Sequence, residues 1–541
     1  MNRREILKLS AASALTALAP TIAEAAEQRA TTPESAVHKY DIFEFPLKGP
    51  AEGNPYTDIQ LQATFTLGHR TTQVDGFYDG NGSYKIRFMP DTEGHWTYTT
   101  SSNNPALANK TGAFTCTAAT PNSHGPVVVR AGHHFAYADG SPYFPFGTTC
   151  YAWAHQGDAL EAQTLETLAS APFNKIRMCV FPKNYEYNHN EPQFYVFPRT
   201  IPFSKEHPQG LNDTTRFNPD FFAHYEKLLG RLRDLNIEAD LILFHPYDRW
   251  GYSSMPIEVD EFYLRYVIAR FAAYRNVWWS LANEFDLIRS KPTPEFTRLL
   301  LYVQQHDPYQ HMRSIHYSHV MYDYASPAVT HASIQTYDFA SAPTWLAAWK
   351  KPIVYDEIQY EGNIFSRWGN LSADEMTRRF WLGVINGCYV THGETFIDPK
   401  LSAEEAETQK LWWSHGGKLY GASPARIAFL RKVLETTTPL GLEPPDNPYY
   451  LNAVSRVLPS PTNSVTYAPS DPPAAILYYL DFHQPERVNI VFSPNTTYTA
   501  ELIDPWYMTI TPIPGTFSGR ANIKLAVKPY QALRLKRVMN S

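Results

Sequence analysis

The chain is 541 residues long, more than one ordinary domain, so two or three domains are expected. With 43% hydrophobic and 14% aromatic residues it can build large cores. A formal net charge of −6 and an isoelectric point near 6.3 provide no basic face, which excludes nucleic acid and an anionic membrane surface as expected partners.

Residues 1–26 predict an export signal. Arg3-Arg4 precedes a modest apolar run from Leu9 to Leu18, then Pro20 and the small-residue site Ala23-Glu24-Ala25. "NRREILK" is similar to the twin-arginine signal, with an ordinary secretory signal carrying a chance Arg-Arg as the alternative. Either reading places the mature protein in the periplasm or outside the cell. No other stretch reaches the ~18 apolar residues that a membrane span needs.

Residues 38–125 alternate with period two. In "GFYDGNGSYKIRFMPDTEGHWTYTT" the Asp79-Gly80 and Asn81-Gly82 pairs predict a turn, and Tyr84, Ile86 and Phe88 alternate with Lys85 and Arg87. This predicts an immunoglobulin-like β-sandwich.

From 130 to 435 apolar strands alternate with helical segments. Eight strand candidates follow in order: "YFPFGTTCY", "FNKIRMCVF", "EADLILFHP", "NVWWSLANE", "RSIHYSHV", "HASIQTYD", "KPIVYDEI" and "GCYVTHGETF". Between the second and third, Phe221, Tyr225, Leu228, Leu229 and Leu232 recur at helical spacing. Eight βα units in this length predict a (β/α)8 TIM barrel, whose active groups sit at the C-terminal ends of its strands. A doubly wound sheet fits less well, because no strand is followed by a glycine-rich phosphate loop. Residues 439–541 return to short strands and predict a second small β-sandwich.

The four cysteines lack metal-ligand spacing. Buried free thiols are expected, with a Cys150–Cys179 pair as the alternative. Neither a metal nor a cofactor is expected.

The polar residues that close the barrel strands are the candidate chemistry. They are Arg177 on the second strand, His245, Tyr247 and Asp248 after the third, and Asn283 and Glu284 on the fourth. The sixth contributes Tyr337 and Asp338, the seventh Asp356 and Glu357, and the eighth His392 and Glu394. Two carboxylates on non-adjacent strands at one barrel mouth suit acid/base or nucleophilic work on a bond held between them, and Glu284 and Glu357 fit. Asn190-Glu191 serves as an internal control: the same dipeptide in a polar loop, with no strand before it.

Strand four ending in Asn-Glu and strand seven ending in Glu resembles the clan A, or 4/7, retaining glycoside hydrolases. The flanking "GFYDGNGSYKIRFMP", "HGPVVV", "LIDPWYMT" and "ALRLKR" look like a bacterial subgroup that joins such a barrel to an N-terminal and a small C-terminal β domain. The resemblance implies an enzyme that hydrolyses a poly- or oligosaccharide through a covalent glycosyl-enzyme intermediate. It implies Glu284 as acid/base, Glu357 as nucleophile with Arg177 as its cation, and Asn283 as donor to the sugar 2-hydroxyl. Arg177, His245 with Tyr247, and Tyr337 match positions that the clan uses around the sugar. One departure stands out: strand eight, which often ends in a sugar-stacking Trp, here reads "THGETF". The platform is then expected from Trp153, Trp250 or Trp368.

Structural readings stand beside these. Glu284 could cap the following helix, and Glu357 could pair structurally with Arg177, leaving Asp356 or Glu361 as the working group. His245 and His392 read as scaffold histidines, and Trp278 and Trp279 as core. Tyr337 divides between orienting the nucleophile and packing. A secreted carbohydrate-binding protein on a non-catalytic barrel is the alternative function.

Overall fold

A computed structural model describes residues 35–202, 204–207, 210–444, 452–455 and 472–538; the expected signal segment, 1–26, lies outside the described residues. At the centre is an eight-stranded parallel sheet. Its strands are β1 (Phe146–Thr149), β2 (Lys175–Cys179), β3 (Glu238–Phe244), β4 (Val277–Ala282), β5 (Arg313–Ser314), β6 (Ala332–Gln335), β7 (Ile353–Glu357) and β8 (Tyr389–His392). All eight coincide with the expected segments. Hydrogen bonding runs β5-β4-β3-β2-β1-β8-β7-β6, and an isolated parallel bridge between His316 and Ser333 joins the two edges, so the barrel is nearly closed.

Helices cover the barrel where periodicity predicts them. The one between β2 and β3, α1 (Pro219–Asp234), is begun by Asn218, whose side chain accepts from the Asp220 amide, and by proline at its first position. It buries Phe221, Phe222, Tyr225, Leu228, Leu229 and Leu232 against the sheet, at roughly 1.5–3 kcal/mol for each large side chain. The unit between β5 and β6 departs from the pattern: residues 315–331 contain no helix.

The N-terminal region forms a five-stranded and a three-stranded sheet that share one core around Phe43, Phe65, Phe88, Trp96 and Phe114. The expected turn is present, with Gly80, Asn81 and Gly82 all at positive φ between Phe77–Tyr78 and Ser83–Phe88. A buried charge network docks this region on the barrel. Glu226 of α1 accepts from Arg87 and from Arg270 at 2.6 Å each, and the same two arginines reach back to Glu44 and Asp79. The C-terminal region contributes a six-stranded sheet and a two-stranded one, anchored to the barrel by the Arg378–Asp481 pair and by Trp381 stacked on Tyr479.

All four cysteines are free and buried, so Cys150 and Cys179 do not pair. Among the described residues no helix is long and apolar enough to cross a membrane.

Candidate active site

The C-terminal ends of the strands open into a cavity of about 450 Å³, and both Glu284 and Glu357 line it. Each carboxylate reaches it through a local break in strand geometry. In a regular strand Asn283 and Glu284 would point to opposite faces. Here Glu284 adopts the left-handed conformation, φ 49° and ψ 53°, just past the end of β4, which turns its side chain to the mouth. A bulky residue rarely adopts this backbone, and such strain concentrates at functional sites. On β7 the pairing with β6 slips: Tyr355 opposes Ile334, but Glu357 opposes Gln335, leaving Asp356 as the extra residue of a bulge. The bulge re-aims Glu357.

Asp356 turns into the barrel instead. It accepts from Lys175 at 2.8 Å, Ser333 at 2.6 Å and Thr391 at 2.8 Å, and the cations Lys175 and Arg177 hold it well below the usual carboxylate range against the opposing effect of burial. It is therefore the structural partner of the buried cations, while Glu357 faces the cavity. Arg177 lies 3.5 Å from Asp240 and 3.9 Å from Asp356, and its effect on Glu357 is one of charge.

Tyrosines hold both glutamates. The Tyr247 hydroxyl donates to Glu284 Oε2 and the Tyr151 hydroxyl to Glu357 Oε1. Glu284 also accepts from Gln335 Nε2 at 3.2 Å and from Asn283 Nδ2 at 3.3 Å. Burial, then the adjacent carboxylate, pushes both phenols above their ordinary value, so they remain donors. Burial and then the charge of Glu284 push Glu357 up to about 7, while Arg177, the Tyr151 hydroxyl and Lys183 oppose the shift. Desolvation and a neighbouring carboxylate thus help Glu357 keep its proton close to neutrality.

The other expected residues divide. Tyr247 and Tyr337 line the cavity; Tyr337 is 56% exposed, with the Arg379 guanidinium 4.6 Å from its ring. Asn283 is buried behind the cavity, where its amide braces Glu284 and does not face open space. His245 is buried against the Phe181 carbonyl at 3.2 Å, and burial lowers it to about 3, so it is neutral scaffold. His392 and Glu394 lie outside the cavity lining. His392 packs on Phe173, and Glu394 accepts from the Tyr420 and Gly421 amides. Glu394, His392 and Glu361 bring ligand atoms within 4.8 Å of one another, a geometry that could hold a metal. Their oxygens already accept the amides of 420–423, so they pin the start of helix Ser423–Glu435. A second such trio, Asp158, Glu161 and His224, also lies away from the cavity.

The expected platform needs correcting. Trp153 is fully buried, its indole N–H 3.3 Å from the Glu161 carbonyl, and Trp250 is buried with its N–H on Glu191; neither lines the cavity. Trp368 does, together with Trp413, with ring centroids 4.9 Å apart. Strand eight cannot carry a large side chain at Gly393, where a Cβ would fall 2.0 Å from the Tyr360 ring. Tyr360 occupies that space and also lines the cavity. The internal control behaves as expected: Glu191 is exposed in a loop and ion-paired with Arg249. Sequence reasoning missed Tyr151, Lys183, Tyr185, Gln335, Gln359, Tyr360 and Trp413. Gln335 and Tyr151 close β6 and β1, so a list taken from every strand end would have found them.

A family model described as "Apiosidase-like, catalytic domain" matches residues 130–439. Two further models, both domains of unknown function (DUF5060 and DUF5605), match residues 36–103 and 470–536. The chain is similar to the crystal structure of a candidate glycoside hydrolase from Bacteroides vulgatus, at 37% identity and a TM-score of 0.85, over 93% of this chain and 100% of the other. A family 5 glycoside hydrolase from the same organism, at 14% identity and a TM-score of 0.54 over 77% of this chain and 94% of the other, shares the fold. No curated protein sequence matches.

Proposed function

Because the chain belongs to the family of apiosidase-like catalytic domains, we propose that it is an exported glycoside hydrolase, acting on a poly- or oligosaccharide with retention of anomeric configuration. The observation that carries this is the convergence of Glu284 and Glu357, from opposite sides of the barrel, on one aromatic cavity, each re-aimed by a backbone irregularity and held by a tyrosine. The same convergence favours an enzyme over a non-catalytic binding barrel, because binding a sugar needs no pair of desolvated carboxyl groups.

In this reading Glu357 attacks the anomeric carbon as the bond to the leaving oxygen breaks, and Glu284 gives that oxygen its proton. Glu284, now ionised, takes a proton from water. The water oxygen bonds the anomeric carbon, and Glu357 leaves with its electron pair. Retention requires the carboxyl groups about 5–5.5 Å apart, with no room for water between them and the sugar. Asn283 braces the acid/base; Trp368 and Trp413 offer the sugar platform. The N-terminal and C-terminal β domains buttress the barrel through Glu226 and Arg378, and export follows from the Arg3-Arg4 segment.

The test is Glu284→Ala and Glu357→Ala, assayed on aryl glycosides with and without azide. Both variants should lose turnover. Azide should rescue each, yielding the glycosyl azide of retained configuration from the Glu284 variant and of inverted configuration from the Glu357 variant. Wild-type turnover by either variant would sink the assignment.

A further inference from the structure

Lys183, in the loop after β2, is 3% exposed, and its ammonium reaches the cavity. Its Nζ lies 3.8 Å from the ring centroid of Tyr151, 4.2 Å from Tyr185 and 4.3 Å from Tyr247. Ring faces attract a cation but offer no lone pair in line with an N–H. Among the described residues Lys183 has neither a carboxylate within ion-pair distance nor a hydrogen-bond acceptor, although its charge is felt by both Glu284 and Glu357. A buried ammonium left with unused donors is costly unless an acceptor arrives from the cavity.

Its position says which acceptor. Two of the caging rings belong to the tyrosines whose hydroxyls hold Glu357 and Glu284, so the ammonium stands beside any sugar lodged between those carboxyl groups. Caging orders the four-carbon stem before a ligand arrives, so little side-chain entropy is lost on binding. Among the described residues that line the cavity Lys183 is also the one cation, beside the acidic side chains of Glu186, Glu284 and Glu357. That balance repels a carboxylate and accepts a neutral polyol.

We propose that Lys183 is the specificity-determining donor of this cavity, hydrogen-bonding hydroxyls of a neutral sugar, and that the surrounding carboxylates exclude uronic acids. The proposal rests on reading the cavity as a glycoside site. It does not depend on which glutamate does what.

The test is therefore equilibrium binding, which needs no turnover. The full chain, as wild type, Lys183→Met and Lys183→Arg, is titrated calorimetrically with neutral aldopentoses and aldohexoses, with glucuronate and galacturonate, and with the monodeoxy forms of the tightest sugar. The tightest ligand should be neutral, and the uronates at least tenfold weaker. One monodeoxy sugar should lose roughly 10- to 100-fold on wild type, the range of a charged hydrogen bond. Lys183→Met should lose a similar factor on the parent sugar and show no further loss with that deoxy sugar, and Lys183→Arg should retain part of the affinity. The deoxy series on wild type gives its answer even if the Met variant does not fold. A uronate as the tightest ligand, an unweakened Met variant, or wild type that binds no neutral sugar would each overturn the proposal. None of these results would alter the azide rescue, which tests the glutamates separately.

Discussion

Tyr151→Phe removes one oxygen atom and leaves the ring that cages Lys183 in place, so its effect falls on Glu357. The ionised carboxylate loses a hydrogen bond that its protonated form needs less, so the carboxyl pKa must rise. A hydrogen bond to a charged group contributes about 1.5–3 kcal/mol, and one pKa unit corresponds to about 1.4 kcal/mol, so the rise is roughly one to two units. Glu357 starts at about 7. The acid limb of kcat/KM against pH, which reports the free enzyme, should move from near 7 to roughly 8 or higher. At pH 6 the variant should be at least about tenfold slower than wild type; above pH 9 the two should approach each other. Tyr360, whose hydroxyl lies 3.2 Å from that of Tyr151, is the nearest group that could compensate, so the double variant with Tyr360→Phe should show the larger shift. The assay is kcat/KM from pH 4 to 10 on the best aryl glycoside. An acid limb that stays in place in both variants would refute the argument that the tyrosines set the ionisation of Glu357.

Other consequences can be checked together. Glu238 is buried and pushed up to about 8, with Trp278 as its hydrogen-bond donor. Because its folded value lies above its unfolded one, its contribution to stability is full below about 4.5 and fades as pH rises through 8. Glu238→Gln should therefore match wild type in thermal unfolding at pH 5 and exceed it at pH 9. Glu226→Ala leaves Arg87 and Arg270 buried without their shared carboxylate, and should cost about 3–5 kcal/mol in denaturant unfolding. Trp413→Ala and Trp368→Ala should each raise KM by about tenfold. Trp153→Phe should lower the thermal midpoint without moving KM, because Trp153 is core.

The barrel was legible because strands buried on both faces read as short continuous apolar runs, and eight such runs, each closed by a polar residue, alternate with segments of helical period. β5 was the weakest; it forms only Arg313–Ser314 and is followed by no helix, so the alternation of strand and helix fails there. In the site, Glu284 and Glu357 could be picked out by their order along the chain. Whether a strand-end residue faces the cavity or the barrel interior was not legible, since that depends on a bulge or a left-handed residue. Asp356 and Glu357 are neighbours in sequence, yet one pairs with Lys175 inside the barrel and the other lines the cavity. His245, His392 and Glu394 close their strands as Tyr247 does, but the Phe181 carbonyl, the Thr148 hydroxyl and the Tyr420 and Gly421 amides respectively already engage them. Lys183 and Tyr185 come from a loop and Trp413 from the four-residue helix Trp412–His415, segments too short or irregular to carry a periodicity, and only the folded path brings them to the cavity. Trp153, one turn from a strand end, looked like a platform because sequence does not reveal which side of the rim a short 3-10 turn faces.

The central claim is that Glu357 forms a covalent bond to the sugar while Glu284 handles the proton. Incubation with a 2-deoxy-2-fluoro aryl glycoside of the preferred sugar, followed by intact and peptide mass spectrometry, tests it most directly, because fluorine slows release of the intermediate. The account predicts one added glycosyl unit per chain, on Glu357, with slower accumulation in Glu284→Ala unless the leaving group is activated. An adduct on any other residue, or full turnover of that substrate with product of inverted configuration and no adduct, would contradict it.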